Sequence, residues 1–225
     1  MIKIYGKSKK EVVGFLIDKE LNSSDVTVSG NCLDISVDIS NGNYEDIIKL
    51  LENEYKGNIY AYKDIDLAEV FADLAITNNI KFSIAESLTG GMIADKLVGI
   101  SGVSSVFTEG IVCYSNESKM KRLFVKGATL EQHGAVSKEV AREMVIGQND
   151  YGVRLSMSTT GIAGPGGGTI DKPVGLTYIG TRFDDDIAVS RYVFQGDRLT
   201  VRKSAANVCI GNAIQMMKRH LNIKL

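Results

Sequence analysis

The sequence predicts an α/β fold in two units: a small α+β domain over residues 1–62 with the order β-α-β-β-α-β, and a larger layered α/β domain over residues 67–225, joined by residues 63–66. Three observations carry this expectation. Leu33, Ile35, Val37 and Ile39 alternate strictly with polar residues, as a half-buried strand does. Beyond Asp66, short apolar runs and amphipathic stretches take turns to the C-terminus, the pattern of helices laid on both faces of a parallel or mixed sheet. A chain of 225 residues, 44% hydrophobic, is long enough for one large domain or a medium one with a small companion.

The elements follow in order. "IKIY" reads as a strand, and Ser8 with Glu11 has capping-box spacing for a helix whose apolar face is Val13, Leu16, Ile17 and Leu21. "DVTV" and "CLDISVDI" form a hairpin about Ser29-Gly30-Asn31. A second helix carries Ile47, Ile48 and Leu51, and "NIYAY" closes the unit as a strand. After the joint, Leu67, Val70, Phe71 and Leu74 mark one face of a helix. "KFSIA" and "GIVCY" are strands, separated by the helix "GMIADKLVGI". "ESKMKRLFV" is a helix with Met120, Leu123 and Phe124 inward, Thr129 and Gln132 suggest a capped short turn, and Ser137 caps "KEVAREMVIG". Three strands follow, "VRLSMSTT", "VGLTYIG" and "IAVSRYVF", with Asp184-Asp185-Asp186 as a turn between strands. A last helix runs from about Leu199 to Lys218, with Ala205, Cys209, Ala213 and Met216 as its inward stripe.

Composition narrows the function. The 26 basic and 27 acidic residues leave a net charge of -1, which advertises neither a nucleic-acid nor a membrane partner. No apolar run approaches the roughly 18 residues of a membrane helix, and "MIKIYGKSKK" lacks signal-peptide order, so a cytoplasmic location is expected. Cys32, Cys113 and Cys209 are scattered and form no CxxC pair, as expected of reduced, structural thiols. His133 and His220 are far apart, without an acidic cluster at ligand spacing, so no metal centre is expected.

Chemistry concentrates in the loops. "AESLTGG" follows a strand and opens a helix, where amide N–H groups face outward at the positive end of a helix dipole. Ser87 there is a candidate nucleophile, with amides near Thr89, Gly90 and Gly91 to meet an oxyanion. The plainer alternative makes Ser87 or Thr89 an N-cap and the glycines a tight turn. A base is offered by "CYSNESK", where Tyr114 ends a strand and Lys119 falls in the first turn of the next helix. A lysine of ordinary pKa, about 10.4, is neutral in only about one molecule in 2,500 at pH 7. Lys119 therefore serves as a base only if burial or a cationic neighbour lowers that value; otherwise it is a solvated helix charge. Tyr114 orients that lysine or passes a proton, or simply packs at the strand end. "STTGIAGPGGGTIDKPVG" fits neither G-x-G-x-x-G nor a Walker loop, and is either a cradle for a phosphate or carboxylate or a mobile connection. Arg198 and Arg202, four apart at the start of the last helix, suit a phosphate or are exposed helix charges.

Taken together, "AESLTGG", "YSNESK", "HGAVS", "STTGIAGPGGGTIDKPVG" and "GDRLTVR" resemble, in this order and spacing, the CinA C-terminal domain family, the nicotinamide mononucleotide amidase group. The resemblance runs from about Leu67 to the C-terminus. Residues 1–62 are similar to the small KH-type-like domain of longer CinA proteins, and the molybdopterin-binding-like domain that precedes it there, with its ADP-ribose pyrophosphatase activity, is expected to be missing. The first sixty residues carry no G-x-x-G loop and no basic surplus, so nucleic-acid binding is not expected.

The resemblance implies a three-layer α/β/α sandwich with a mixed sheet, no cofactor, a homodimer, and conversion of nicotinamide mononucleotide and water to nicotinate mononucleotide and ammonia. It implies Ser87 as nucleophile with Tyr114 and Lys119 as its catalytic partners. The substrate-binding set expected around them is Glu86, Thr89, Gly90, Gly91, Thr160, Gly161, Gly164 and Arg202. Leu88 stands where the family usually has cysteine, which is expected to alter packing and not chemistry. The alternative class is a nucleotide-binding adaptor without turnover.

Overall fold

The computed structural model describes residues 1–21, 23–41, 44–148 and 152–223. The small N-terminal unit comprises β1 (Ile2–Tyr5), α1 (Lys9–Asp18), β2 (Val26–Asn31), β3 (Asp34–Ile39), α2 (Tyr44–Tyr55) and β4 (Ile59–Ala61). Its antiparallel sheet has the order β2-β3-β1-β4, and Ile2, Ile4, Val12, Leu16, Ile35, Val37, Leu51 and Ile59 form its core. Ser8 and Glu11 make the expected capping box at the start of α1.

Two details depart from expectation. The hairpin turns at Cys32 and Leu33, both with positive φ, while Gly30 lies inside β2 opposite Ile35. The glycine is required there because a Cβ would sit 2.2 Å from the Asp34 carbonyl oxygen. In α1 the inward face is Val12 and Leu16, and Ile17 is 62% exposed. Val12 and Leu16, about one turn apart, both fall on the face turned to the small unit's core.

The larger unit contains α3 (Leu67–Thr77), β5 (Phe82–Glu86), α4 (Met92–Val98), β6 (Phe107–Val112), α5 (Asn116–Leu123), α6 (Gly127–His133), α7 (Lys138–Ile146), β7 (Leu155–Gly161), β8 (Leu176–Phe183), β9 (Asp186–Val193) and α8 (Arg198–Leu221). Its sheet order is β6-β5-β7-β8-β9, with β6, β5 and β7 parallel and β8 and β9 added antiparallel. Helices α3, α4 and α8 share the main core with one face, and α7 packs on the other, giving the three-layer sandwich. The expected stripe of α8 is buried: Ala205, Cys209, Ala213 and Met216 are at most 4% exposed. Among the described residues no helix is long and apolar enough to cross a membrane.

Helix α5 is turned differently from its expected orientation. Lys119 and Leu123 face inward, each 1% exposed, whereas Met120 and Phe124 are 39% and 66% exposed. Phe124 is the C-cap of that helix, with φ of 54°, and so lies outside its helical period. Strand β6 stops at Val112, leaving Cys113 and Tyr114 beyond its end. In place of a short turn capped by Thr129, α6 has Lys126 at its N-cap without a side-chain cap, and Thr129 Oγ1 donates to Glu143. Ser137 caps α7 as expected.

The small unit rests on α8. The Tyr5 ring covers Gly211, where a Cβ would come within 2.1 Å of it, so close packing requires glycine. Asn207, Gln215 and Lys218 of α8 donate to the carbonyls of Cys32, Ile59 and Tyr60. Gln215 and Lys218 thereby occupy carbonyl oxygens of β4, an edge strand of the small sheet.

Candidate functional site

Strand β5 is buried from Phe82 to Glu86 and sits between two parallel partners, so its carboxyl end opens where such sheets bind ligands. The next five residues turn before α4 begins. Gly90 and Gly91 take φ of 61° and 97°, a left-handed path that glycine follows without strain. Gly91, and neither Ser87 nor Thr89, occupies the N-cap of α4.

The cap is supplied from upstream. The Glu86 carboxylate accepts from Gly91 N at 2.9 Å, Ile93 N at 3.2 Å and Ala94 N at 2.9 Å. It takes the anion position that a helix N-terminus provides. Expected among the substrate contacts, Glu86 is instead 1% exposed and committed to the helix. The Gly91 amide, expected to meet an oxyanion, is spent on the same carboxylate. Ser87 is thus relieved of capping. Its N–H donates to Thr159 O at 3.0 Å, and its hydroxyl remains for chemistry. Thr89 Oγ1 lies 2.7 Å from Thr159 Oγ1, tying the turn to β7.

Lys119 reaches the same point from α5, whose N-cap Ser115 accepts from Ser118 N. Its Nζ is 3.1 Å from Ser87 Oγ, 2.8 Å from Cys113 O and 3.2 Å from Tyr114 O. Burial lowers its pKa below the usual lysine value, with Cys113 acting in the opposite sense. The Cys113 thiol is itself pushed up to about 11 by burial, so at neutral pH it offers no counter-charge. The three contacts suit both protonation states. An ammonium donates to all three oxygens; a neutral amine donates to the two carbonyls and turns its lone pair to the Ser87 hydroxyl.

Tyr114 does not lie between Ser87 and Lys119. Its backbone carbonyl holds Lys119, while the ring is 62% exposed and the phenol oxygen accepts from Arg198 Nη2 at 3.3 Å. The displacement follows from β6 ending at Val112, so that Tyr114 belongs to the loop before α5. Arg198 Nη1 also donates to Gly164 O at 2.7 Å, joining the phenol to the glycine loop.

Arg202, expected at a phosphate, holds the Ser87 turn. Its Nε donates to Leu88 O at 2.9 Å and its Nη2 to Thr89 O at 2.7 Å. A planar guanidinium suits two adjacent carbonyls. Thr160 Oγ1 donates to Ala135 O at 2.7 Å, and Lys172 Nζ donates to His133 O and Val136 O, so the "HGAVS" segment is pinned by carbonyls. At Gly161 a Cβ would lie 2.6 Å from Leu176 O and 3.0 Å from Leu88 Cδ1, which is why the strand end carries glycine. Gly164, with φ of 79°, passes equally close to Val174. The loop after β7 is therefore tied at Gly164, Lys172 and Gly175, unlike a mobile connection.

The structure brings Ser87 and Lys119 together, and places Thr89, Gly90, Arg202 and Thr160 around them as supports. Lys172 and Thr159 acquire roles that sequence reasoning had not assigned, and Arg198, read as a phosphate candidate, pairs with the Tyr114 phenol. The basic residue in "TIDKP" and the paired threonines of "STT" were the available signals.

Comparisons with known proteins agree with this fold. The sequence profile of the CinA C-terminal domain matches residues 64–219. A competence-damage inducible protein of Clostridium botulinum strain Langeland is 44% identical over 176 residues, covering 78% of this chain and 42% of that protein. A protein of the same description from Clostridium perfringens strain ATCC 13124 is 46% identical over 182 residues, covering 79% of this chain and 43% of its own length. The chain thus spans less than half the length of these curated relatives. Among solved structures, a CinA superfamily protein of Escherichia coli superposes with TM-score 0.64 at 28% identity, over 67% of this chain and 88% of that one. A competence/damage inducible protein of Agrobacterium tumefaciens gives TM-score 0.63 at 32% identity, over 72% and 99%. Shared fold, identity and a profile match that takes in the Ser87 turn, Lys119 and Arg202 point the same way: the chain belongs to the CinA C-terminal domain family.

Proposed function

We propose that this protein is an amidohydrolase that converts nicotinamide mononucleotide to nicotinate mononucleotide and ammonia with Ser87 as nucleophile and Lys119 as base. The observation that carries the reading is the 3.1 Å contact between Lys119 Nζ and Ser87 Oγ, made by a lysine that is 1% exposed and whose pKa burial lowers. The substrate comes from the resemblance of the five loop motifs to the nicotinamide mononucleotide amidase group. A nucleophile beside an activated base is the usual requirement for acyl transfer.

In the proposed reaction Ser87 Oγ attacks the carboxamide carbon while Lys119 takes the hydroxyl proton. Amides of the Leu88–Gly90 turn, which lie outside the Glu86 clasp, receive the oxyanion. As the C–N bond breaks, the Lys119 ammonium returns the proton to the leaving nitrogen, and ammonia departs. Water then attacks the acyl ester, Lys119 accepts its proton, and Ser87 Oγ recovers it as the acid is released. In this reading the exposed Tyr114 phenol and the Arg198 guanidinium, 3.3 Å apart, meet the ribose phosphate. The deciding experiment measures ammonia release from nicotinamide mononucleotide by wild type and Ser87→Ala. Loss of at least about 1000-fold in the variant supports the reading; equal rates, or binding without product in the wild type, replaces it with the adaptor.

A further inference from the structure

Between the small unit and helices α4 and α8 lies a cavity of about 360 Å³ that the amidase reading does not use. Its walls carry three lysines from three elements: Lys3 of β1, Lys96 of α4 and Lys203 of α8. Lys96 and Lys203 make no salt bridge among the described residues, and Lys3 is 3.7 Å from Asp64, a carboxylate 79% exposed and so well screened. Asp34 is the carboxylate in the wall. It accepts from Tyr60 OH at 2.7 Å; burial raises its pKa, and that hydrogen bond with the nearby Lys3 and Lys96 acts in the opposite sense. Three lysines against this one carboxylate leave the lining with a surplus of positive charge even with Asp34 ionised.

Two further features show what an occupant would need. Ser29 and Ser36 are opposed in the β2–β3 ladder and both line the cavity, so the small sheet offers two hydroxyls on one side. Asn207, 5% exposed, also lines it; its Nδ2 donates to Cys32 O at 3.0 Å, and its Oδ1 has no partner. Because the Nδ2 contact fixes the amide orientation, the group left over is an acceptor that calls for a donor. A buried polar atom without a partner is costly, and a ligand hydroxyl would satisfy it.

We infer that this cavity binds a small phosphorylated metabolite, its phosphate held by Lys3, Lys96 and Lys203 and a neighbouring hydroxyl donated to Asn207. The volume falls in the range of small-ligand sites. None of these residues belongs to the Ser87–Lys119 arrangement, so the site stands whether or not the amidase reading does. Its position joins the small unit to α4 and α8, which hold the Ser87 turn through Glu86 and Arg202.

Calorimetric titration of ribose 5-phosphate and of inorganic phosphate into the full chain tests this, using wild type, K96Q/K203Q, the surface control K9Q/K10Q and R198A, each checked for an unchanged melting transition. Ribose 5-phosphate is expected to bind wild type, K9Q/K10Q and R198A alike and at least about tenfold more weakly to K96Q/K203Q, since loss of two cations facing a phosphate removes 1.4 kcal/mol or more. It is also expected to bind more tightly than inorganic phosphate. No binding to wild type at millimolar concentration overturns the proposal. So does binding unchanged in K96Q/K203Q, or lost in R198A alone, which would place the anion at the Ser87 site. Equal affinity for the two anions overturns the role of Asn207.

Discussion

Lys119 Nζ lies 3.1 Å from Ser87 Oγ, and its two other contacts are the carbonyls of Cys113 and Tyr114. A cation in that place has oxygens to donate to but no negative charge to pair with. Burial therefore favours the neutral amine, the form that takes a proton from serine.

The first prediction concerns pH. Under the proposed mechanism the neutral form of Lys119 is the base, so kcat/KM for the amide substrate should rise with pH through the lowered pKa of that group and level off above it. The acidic limb should fall below the usual lysine range. A rate profile without that limb, or one still climbing at pH 10, would contradict the assignment. Lys119→Ala should lower kcat by about 100- to 10,000-fold, the range of a lost general base.

Under the proposed mechanism Arg202 acts on the reaction through the turn it holds. Replacing it with Gln removes charged donors from Leu88 O and Thr89 O, letting the nucleophile turn shift. Steady-state kinetics should show kcat reduced by about tenfold to 100-fold, since displacements near 1 Å at the reacting atom have effects of that size. An unchanged kcat with a raised KM would instead make Arg202 a substrate ligand.

Glu86 should matter to stability before it matters to substrate. Glu86→Gln leaves one amide oxygen where two carboxylate oxygens accept three N–H groups, and turns an NH2 toward backbone donors. Urea unfolding is expected to show a loss of about 2–3 kcal/mol, the scale of charge-assisted bonds to a buried group. Wild-type stability in the variant would mean that the α4 cap is redundant.

Lys218 gives a second pH effect, on folding. Burial lowers its pKa to about 8, against about 10.4 in an unfolded chain. Between those values the unfolded chain binds more protons, so stability should rise as pH increases through the window and the penalty of the buried cation disappears. Lys218→Met removes the titration. Denaturation at pH 7 and pH 10 should show wild type gaining on the variant at the higher pH; a constant difference would show that Lys218 keeps its ordinary pKa.

Much of the fold was legible because periodicity reports which face of an element is covered. The order of strands and helices, the capping box at Ser8, the Ser137 cap and the buried stripe of α8 all follow from local pattern. The failures share a cause. Met120 and Phe124 read as core because apolar residues usually face inward, yet beside Leu123 the inward place in α5 goes to Lys119, kept there by two carbonyls and a serine hydroxyl from outside the helix. Likewise Gly30 read as the hairpin turn, although close approach of Asp34 O is what requires it.

By itself the sequence determined two units, their element order, the loop where Ser87 stands and the helix that carries Lys119, because spacing and turn chemistry are local properties. Only the tertiary structure decided what each loop residue does. It gave the helix cap to Glu86 and released Ser87, moved Arg202 from a phosphate to two carbonyls, and drew the Tyr114 phenol to Arg198. The physical reason is that a polar side chain's role depends on the partner that satisfies it, and those partners come from strands and helices distant in sequence.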